Sequence, residues 1–112
     1  MSAKKNPLGL NALQLKTLTL LQELARLPDH AEPVDDGVMV SGFPNPHGDH
    51  FHLGAHVVLA RDATGFSNPA PWAVLERKGL IRSMFPRAAV LTAEGQAYDT
   101  GLREEILHRS GH

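Results

Sequence analysis

Three observations predict a single α+β domain for this 112-residue chain. Leu13, Thr17, Leu20, Leu21, Leu24 and Leu27 recur at helical spacing, which calls for a long N-terminal helix. The run Leu75-Glu76-Arg77-Lys78-Gly79-Leu80-Ile81 reads as a helix stopped by a glycine and continued as a strand. The run Leu91-Thr92-Ala93-Glu94-Gly95 reads as the end of a second strand and the start of an additional C-terminal helix. Residues 1–9 are expected to form a flexible N-terminal arm and residues 10–112 the domain.

The first helix starts at Asn11, with Gln14 at the third helical position as the partner of a capping box. Leu10 and Leu15 occupy the positions of a hydrophobic staple. Leu15 and Leu18 widen the apolar surface beyond one stripe, so the helix needs more than one neighbour. It belongs at the centre of the domain or in a dimer interface, and Pro28 ends it. Residues 28–37 are expected to be a polar connector with a turn at Asp35-Asp36-Gly37. Val38-Met39-Val40 is a short strand, and the prolines and glycine of Phe43-Pro44-Asn45-Pro46-His47-Gly48-Asp49 make a loop.

Residues 50–63 fit two templates. Phe51, Ala55, Val58 and Leu59 share a face in a helix. In a strand, Phe51, Leu53, Ala55, Val57 and Leu59 point inward, and His50, His52 and His56 point outward. The favoured reading is an extended start at His50 to Leu53 and a helix through about Ala63. Ser67 or Asn68 caps the next helix, Pro69 or Pro71 suits its first turn, and Trp72, Leu75 and Leu80 supply its buried side. Ile81-Arg82-Ser83-Met84 and Ala88-Ala89-Val90-Leu91 pair as strands around Phe85-Pro86-Arg87. The last helix is expected from about Ala93 to Arg109, with Gly101 packed closely against another helix.

The chain has no cysteine, which excludes disulfides and thiolate metal sites. No apolar h-region follows Met1-Ser2-Ala3-Lys4-Lys5, and no apolar run approaches a bilayer span, so a cytoplasmic protein with no membrane partner is expected. The formal net charge is −1, less basic than most free-standing DNA-binding domains. The charge is uneven, however. Residues 61–87 carry Arg61, Arg77, Lys78, Arg82 and Arg87 against only Asp62 and Glu76.

His47, His50, His52 and His56 lie within ten residues, with Asp49 among them. On a strand, His50 and His52 point to one side, a spacing that can clamp zinc or nickel. The alternatives are exposed strand or loop histidines, histidines bonded to backbone, and a pH-sensitive surface. Trp72, the only tryptophan, is either a stacking platform or a core anchor, and the core anchor is favoured. No nucleophile elbow, phosphate-cradling glycine loop or acid pair at a suggestive spacing is present, so a catalytic role is not expected.

The region from about Val57 to Gly95 resembles winged helix-turn-helix regulators, especially the MarR-like group. The resemblance rests on Leu75-Glu76-Arg77-Lys78-Gly79-Leu80-Ile81 and on Leu91-Thr92-Ala93-Glu94-Gly95. It implies a winged helix with a small antiparallel wing sheet, and a small DNA-binding transcriptional regulator with DNA as its partner. By position, Asn68, Ala70 and Ala73 would lie near the exposed face of the recognition helix, with Asn68 the base reader. Arg77 and Lys78 would hold phosphates at its end, and Arg82 and Arg87 around the wing. A homodimer through the first and last helices would place two such helices on successive half-sites. The wing tip is only Phe85-Pro86-Arg87 and lacks the Asp-x-Arg typical of the group. The alternatives are a winged-helix protein-interaction module without DNA binding, and a metal-responsive sensor using the histidine cluster.

Overall fold

A computed structural model describes residues 6–43 and 48–109. It is an α+β fold of four α-helices and two antiparallel sheets among those residues. Helix α1 spans Ala12–Leu24. The Asn11 side chain accepts from Gln14 N at 2.8 Å, and the Gln14 side chain accepts from Asn11 N at 2.9 Å, so the expected capping box is present. The helix ends at Leu24, earlier than Pro28 required. Arg26 and Leu27 bond to the carbonyls three residues back, which tightens the chain into a turn before the proline. Leu18, Leu20, Leu21 and Leu24 have no exposed surface. Helix α1 packs against later helices, a strand and the loops between them, so its broad apolar surface reflects a central position in the domain.

The connector expected at 28–37 instead contains strand β1, Ala31–Val34, paired with β2, Gly37–Ser41, through the turn at Asp35-Asp36. Strand β1 lies at a sheet edge with Glu32 and Pro33 exposed, so it needs no apolar alternation, and an edge tolerates Pro33. Strand β3, His50–Leu53, forms as expected. The helix expected through Ala63 does not: β4, His56–Leu59, folds back on β3 through Gly54-Ala55. The β-branched pair Val57-Val58 favours a strand, and Phe51, Leu53 and Val58 face the core. Two 3-10 turns follow, Ala60–Asp62 and Thr64–Ser67. Gly65 in the second rests against Thr17 of α1 with no space for a Cβ.

Helix α2, Pro69–Arg77, is capped by Asn68, whose Oδ1 accepts from Ala70 N at 3.0 Å. Gly79 leaves it with φ +80°. Strands β5, Ile81–Met84, and β6, Ala88–Thr92, form the expected hairpin around Phe85-Pro86-Arg87, with a cis Phe85-Pro86 peptide. The larger sheet runs β1-β2-β6-β5. Thr92 caps α3, Ala93–Ala97, by accepting from Gly95 N at 3.0 Å.

The single C-terminal helix is not formed. Tyr98 is extended, the Asp99 side chain accepts from Gly101 N, and Gly101 takes φ +71°, a left-handed conformation that ends helical propagation. A short α4, Arg103–Ile106, and β7, His108–Arg109, follow, and β7 completes a second sheet of order β3-β4-β7. The described part of the expected arm, residues 6–9, is tied to the domain. Tyr98 Oη donates to Asn6 Oδ1 at 2.7 Å and accepts from Leu8 N at 3.1 Å. No helix among the described residues is long and apolar enough to cross a membrane.

Candidate functional site

Strand β5 runs back along α2. Glu76, near the helix end, accepts from Ser83 N at 3.0 Å. Trp72, one turn earlier, meets the Phe85 ring edge-on at 5.0 Å. Arg87, past the hairpin tip, shares a cleft with Thr64 and Ser67, which precede the helix. The topology therefore sets Arg77 and Lys78 at one end of α2 and Arg87 at the other. All three are exposed, and none makes an ion pair among the described residues.

Arg82 differs. Its Nε and Nη2 donate to the two carboxylate oxygens of Asp36 at 2.6 and 3.0 Å, across the sheet at the β1–β2 turn. The hydrogen bond from Arg82 holds the Asp36 carboxyl below its ordinary value, and the same contact pushes the Arg82 guanidinium up. Among the described residues, the four cations singled out in the sequence thus separate into one clamped to an acid and three without a partner. Asn68 spends its oxygen on the helix cap, and its amide nitrogen makes no hydrogen bond among the described residues. The exposed face of α2 presents Pro69, Ala70, Ala73, Glu76 and Arg77.

Between the 3-10 turns and the hairpin tip lies an open cleft of about 580 Å³. Phe43, Phe51 and Phe66 form its apolar wall, with Thr64, Ser67 and Arg87 as its polar side chains. Phe43 stacks on Phe66 with centroids 5.0 Å apart and planes at 12°. Trp72 meets Phe43 edge-on from within the core, at 5.6 Å. Its Nε1 donates to Gly65 O at 2.9 Å and its exposure is 1%, so it is an anchor and offers no stacking platform. Phe43, Phe51 and Phe66 come from three separate segments of the chain, so no local sequence signal marks this cleft.

The histidine cluster is divided. His47 lies outside the described residues. His50 and His52 share the outer face of β3, ring centroids 5.4 Å apart, and Asp49 is 3.3 Å from His50 Nδ1. The turn at Gly54-Ala55 reverses the alternation, so His56 pairs with Leu53 and lies on the opposite face from His50 and His52. Its Nδ1 is 3.4 Å from Glu23 Oε2, without hydrogen-bond geometry. Among the described residues, no three histidine or acidic side chains converge on a point that could hold a metal ion. Glu23 is buried and accepts from Arg103 Nη2 at 2.7 Å, a pairing that eighty residues of separation hide from the sequence.

Searches of protein-family models, curated proteins and solved structures find no match to this chain.

Proposed function

We propose that the protein is a small cytoplasmic DNA-binding regulator, without catalytic activity, in which α2 lies across the major groove between cations that hold phosphate. The carrying observation is the placement, at both ends of one helix, of exposed cations that have no acidic partner among the described residues. Nine residues of α-helix span about 13 Å, close to the roughly 12 Å width of the major groove. Arg87 reaches one phosphate strand, and Arg77 and Lys78 the other. The order α2, β5, β6 supports a winged helix, with 3-10 turns in place of the helix that precedes a usual recognition helix. Base reading is confined to the Asn68 amide, so the protein holds DNA chiefly through phosphate. A homodimer would double the three contacts.

Affinity for a 20-base-pair duplex, measured from low to moderate salt, tests this reading. Three phosphate contacts predict a log–log slope of about −2.7 per protomer. Lys78→Gln with Arg87→Gln flattens the slope by about two. Arg82→Gln changes it little, because Arg82 is spent on Asp36. A flat salt dependence in the wild type overturns the proposal.

One observation favours a second reading, a protein-interaction module: Pro69, Ala70 and Ala73 give the first half of α2 a small apolar surface. Ala73→Arg separates the two. An added cation on that face strengthens DNA binding, whereas it disrupts docking of an apolar protein surface.

A further inference from the structure

We propose that strand β3 holds a zinc-class divalent ion between two copies of the chain, each copy supplying His50 and His52. The two rings share the outer face of β3, with centroids 5.4 Å apart and planes at 80°. Two imidazoles on one tetrahedral zinc have centroids roughly 5 Å apart, given Zn–N bonds of about 2.0–2.1 Å. Asp49 Oδ1 lies 3.3 Å from His50 Nδ1 and draws the ring proton there, which leaves Nε2 for the metal. His52 is exposed and His50 half-buried, so an ion reaches both.

Two ligands leave a tetrahedral ion half-coordinated, and no third histidine or acidic side chain completes the pair among the described residues. His108 shares the outer face, but Val57 stands between it and His52. The backbone of the same two histidines points to the source of the missing ligands. Ala60 N donates to Asp49 O at 2.8 Å, so Asp49 and, by alternation, Phe51 and Leu53 turn their N–H and C=O groups toward β4. His50 and His52 turn theirs away from it. Strand β3 is the edge of its sheet, and no strand pairs with that side among the described residues. Such an edge is a template for a second strand. Antiparallel pairing of β3 with its own copy, centred on Phe51, satisfies these groups and sets His50 of each copy opposite His52 of the other. The four histidines then stand on one face at the corners of a rectangle roughly 5.5 by 7 Å between Cα atoms. Four imidazoles suit zinc.

The inference shares no residue with the nucleic-acid reading, and DNA binding by the metal-free chain tests that reading separately. Zinc chloride and cobalt(II) chloride, added to the untagged full chain, test this one by sedimentation velocity, visible absorption and amide hydrogen exchange. Half an equivalent of zinc per chain doubles the sedimenting mass. Cobalt takes the same site with the intense absorption of a tetrahedral centre. The His50 and His52 amides, open to exchange without metal, become protected with it. His50→Ala plus His52→Ala, which leaves Phe51 and Leu53 in the core, lowers zinc affinity at least about tenfold and abolishes the doubling. His108→Ala does neither. One zinc per chain without a change of mass, amides that stay open to exchange, or equal zinc affinity in the double variant overturns the assignment.

Discussion

Gly65 and Thr17 touch where a 3-10 turn crosses α1, and the contact is backbone against side chain. Gly65→Ala therefore forces one of two packed elements to move, at a cost of about 1–3 kcal/mol. Thr17→Ala in the same chain relieves part of that cost, and a urea double-mutant cycle measures the coupling. Glu23 and Arg103 are unequal partners: the glutamate side chain is 6% exposed, the arginine 46%. Removing the arginine strands a buried carboxylate, whereas removing the glutamate leaves a guanidinium that water can reach. Arg103→Ala is expected to destabilise by about 3 kcal/mol and Glu23→Gln by clearly less, as read from urea midpoints. The Asp36–Arg82 pair adds a pH signature. Because pairing holds the Asp36 carboxyl below 3.8, its stabilisation is complete at neutral pH and is lost as acid protonates it. The stability gap between wild type and Asp36→Asn is therefore constant above about pH 5 and closes in strong acid. A gap that widened on acidification would refute the pairing. None of these three contacts could be read from the chain, because their members lie 46 to 80 residues apart or meet through a glycine with no side chain to signal it.

Elements with local signals were legible. Helix α1 carries its own cap and its own leucine spacing, so Asn11→Ala should cost about 1 kcal/mol in a thermal melt. Helix α2 and the β5–β6 hairpin likewise carry their punctuation in Asn68, Pro69, Gly79 and Thr92. Three elements differ from what the sequence predicts, each for a different reason. Strand β1 is an exposed edge whose partners, not its own residues, make it a strand. In β4, the segment from Val57 onward fits a helix and a strand equally by periodicity, and the pairing with Phe51 and Leu53 decides. The long C-terminal helix fails at Tyr98, whose side chain is needed by Asn6 and Leu8 at the other end of the chain. Of the candidate site, the cationic residue types were legible, but the partner of Arg82 and the aromatic cleft arise only when β2, the 3-10 turns and the hairpin tip converge.

The whole molecule is organised around α1, with one core cluster reaching from Leu10 to Leu107. Both sheets and α2 contribute to it, so neither sheet keeps an apolar face without the helix. Thermal unfolding followed by Trp72 fluorescence and by far-ultraviolet circular dichroism should give one coincident transition. Two separated transitions would show that the sheets are independent units.

The bonds that close around α1 come from the far end of the chain: Thr100 Oγ1 at 2.6 Å from Thr19, the Gly95 and Tyr98 carbonyls at 2.8 Å from the Gln22 amide, and Arg103 on Glu23. During synthesis, then, α1 is enclosed only after the segment from Gly95 to Arg103 has followed it. Its leucines wait, wet and sticky, until residues 95–103 have emerged from the ribosome. Nascent chains stalled before Tyr98 should be captured by chaperones that chains extended past Arg103 escape.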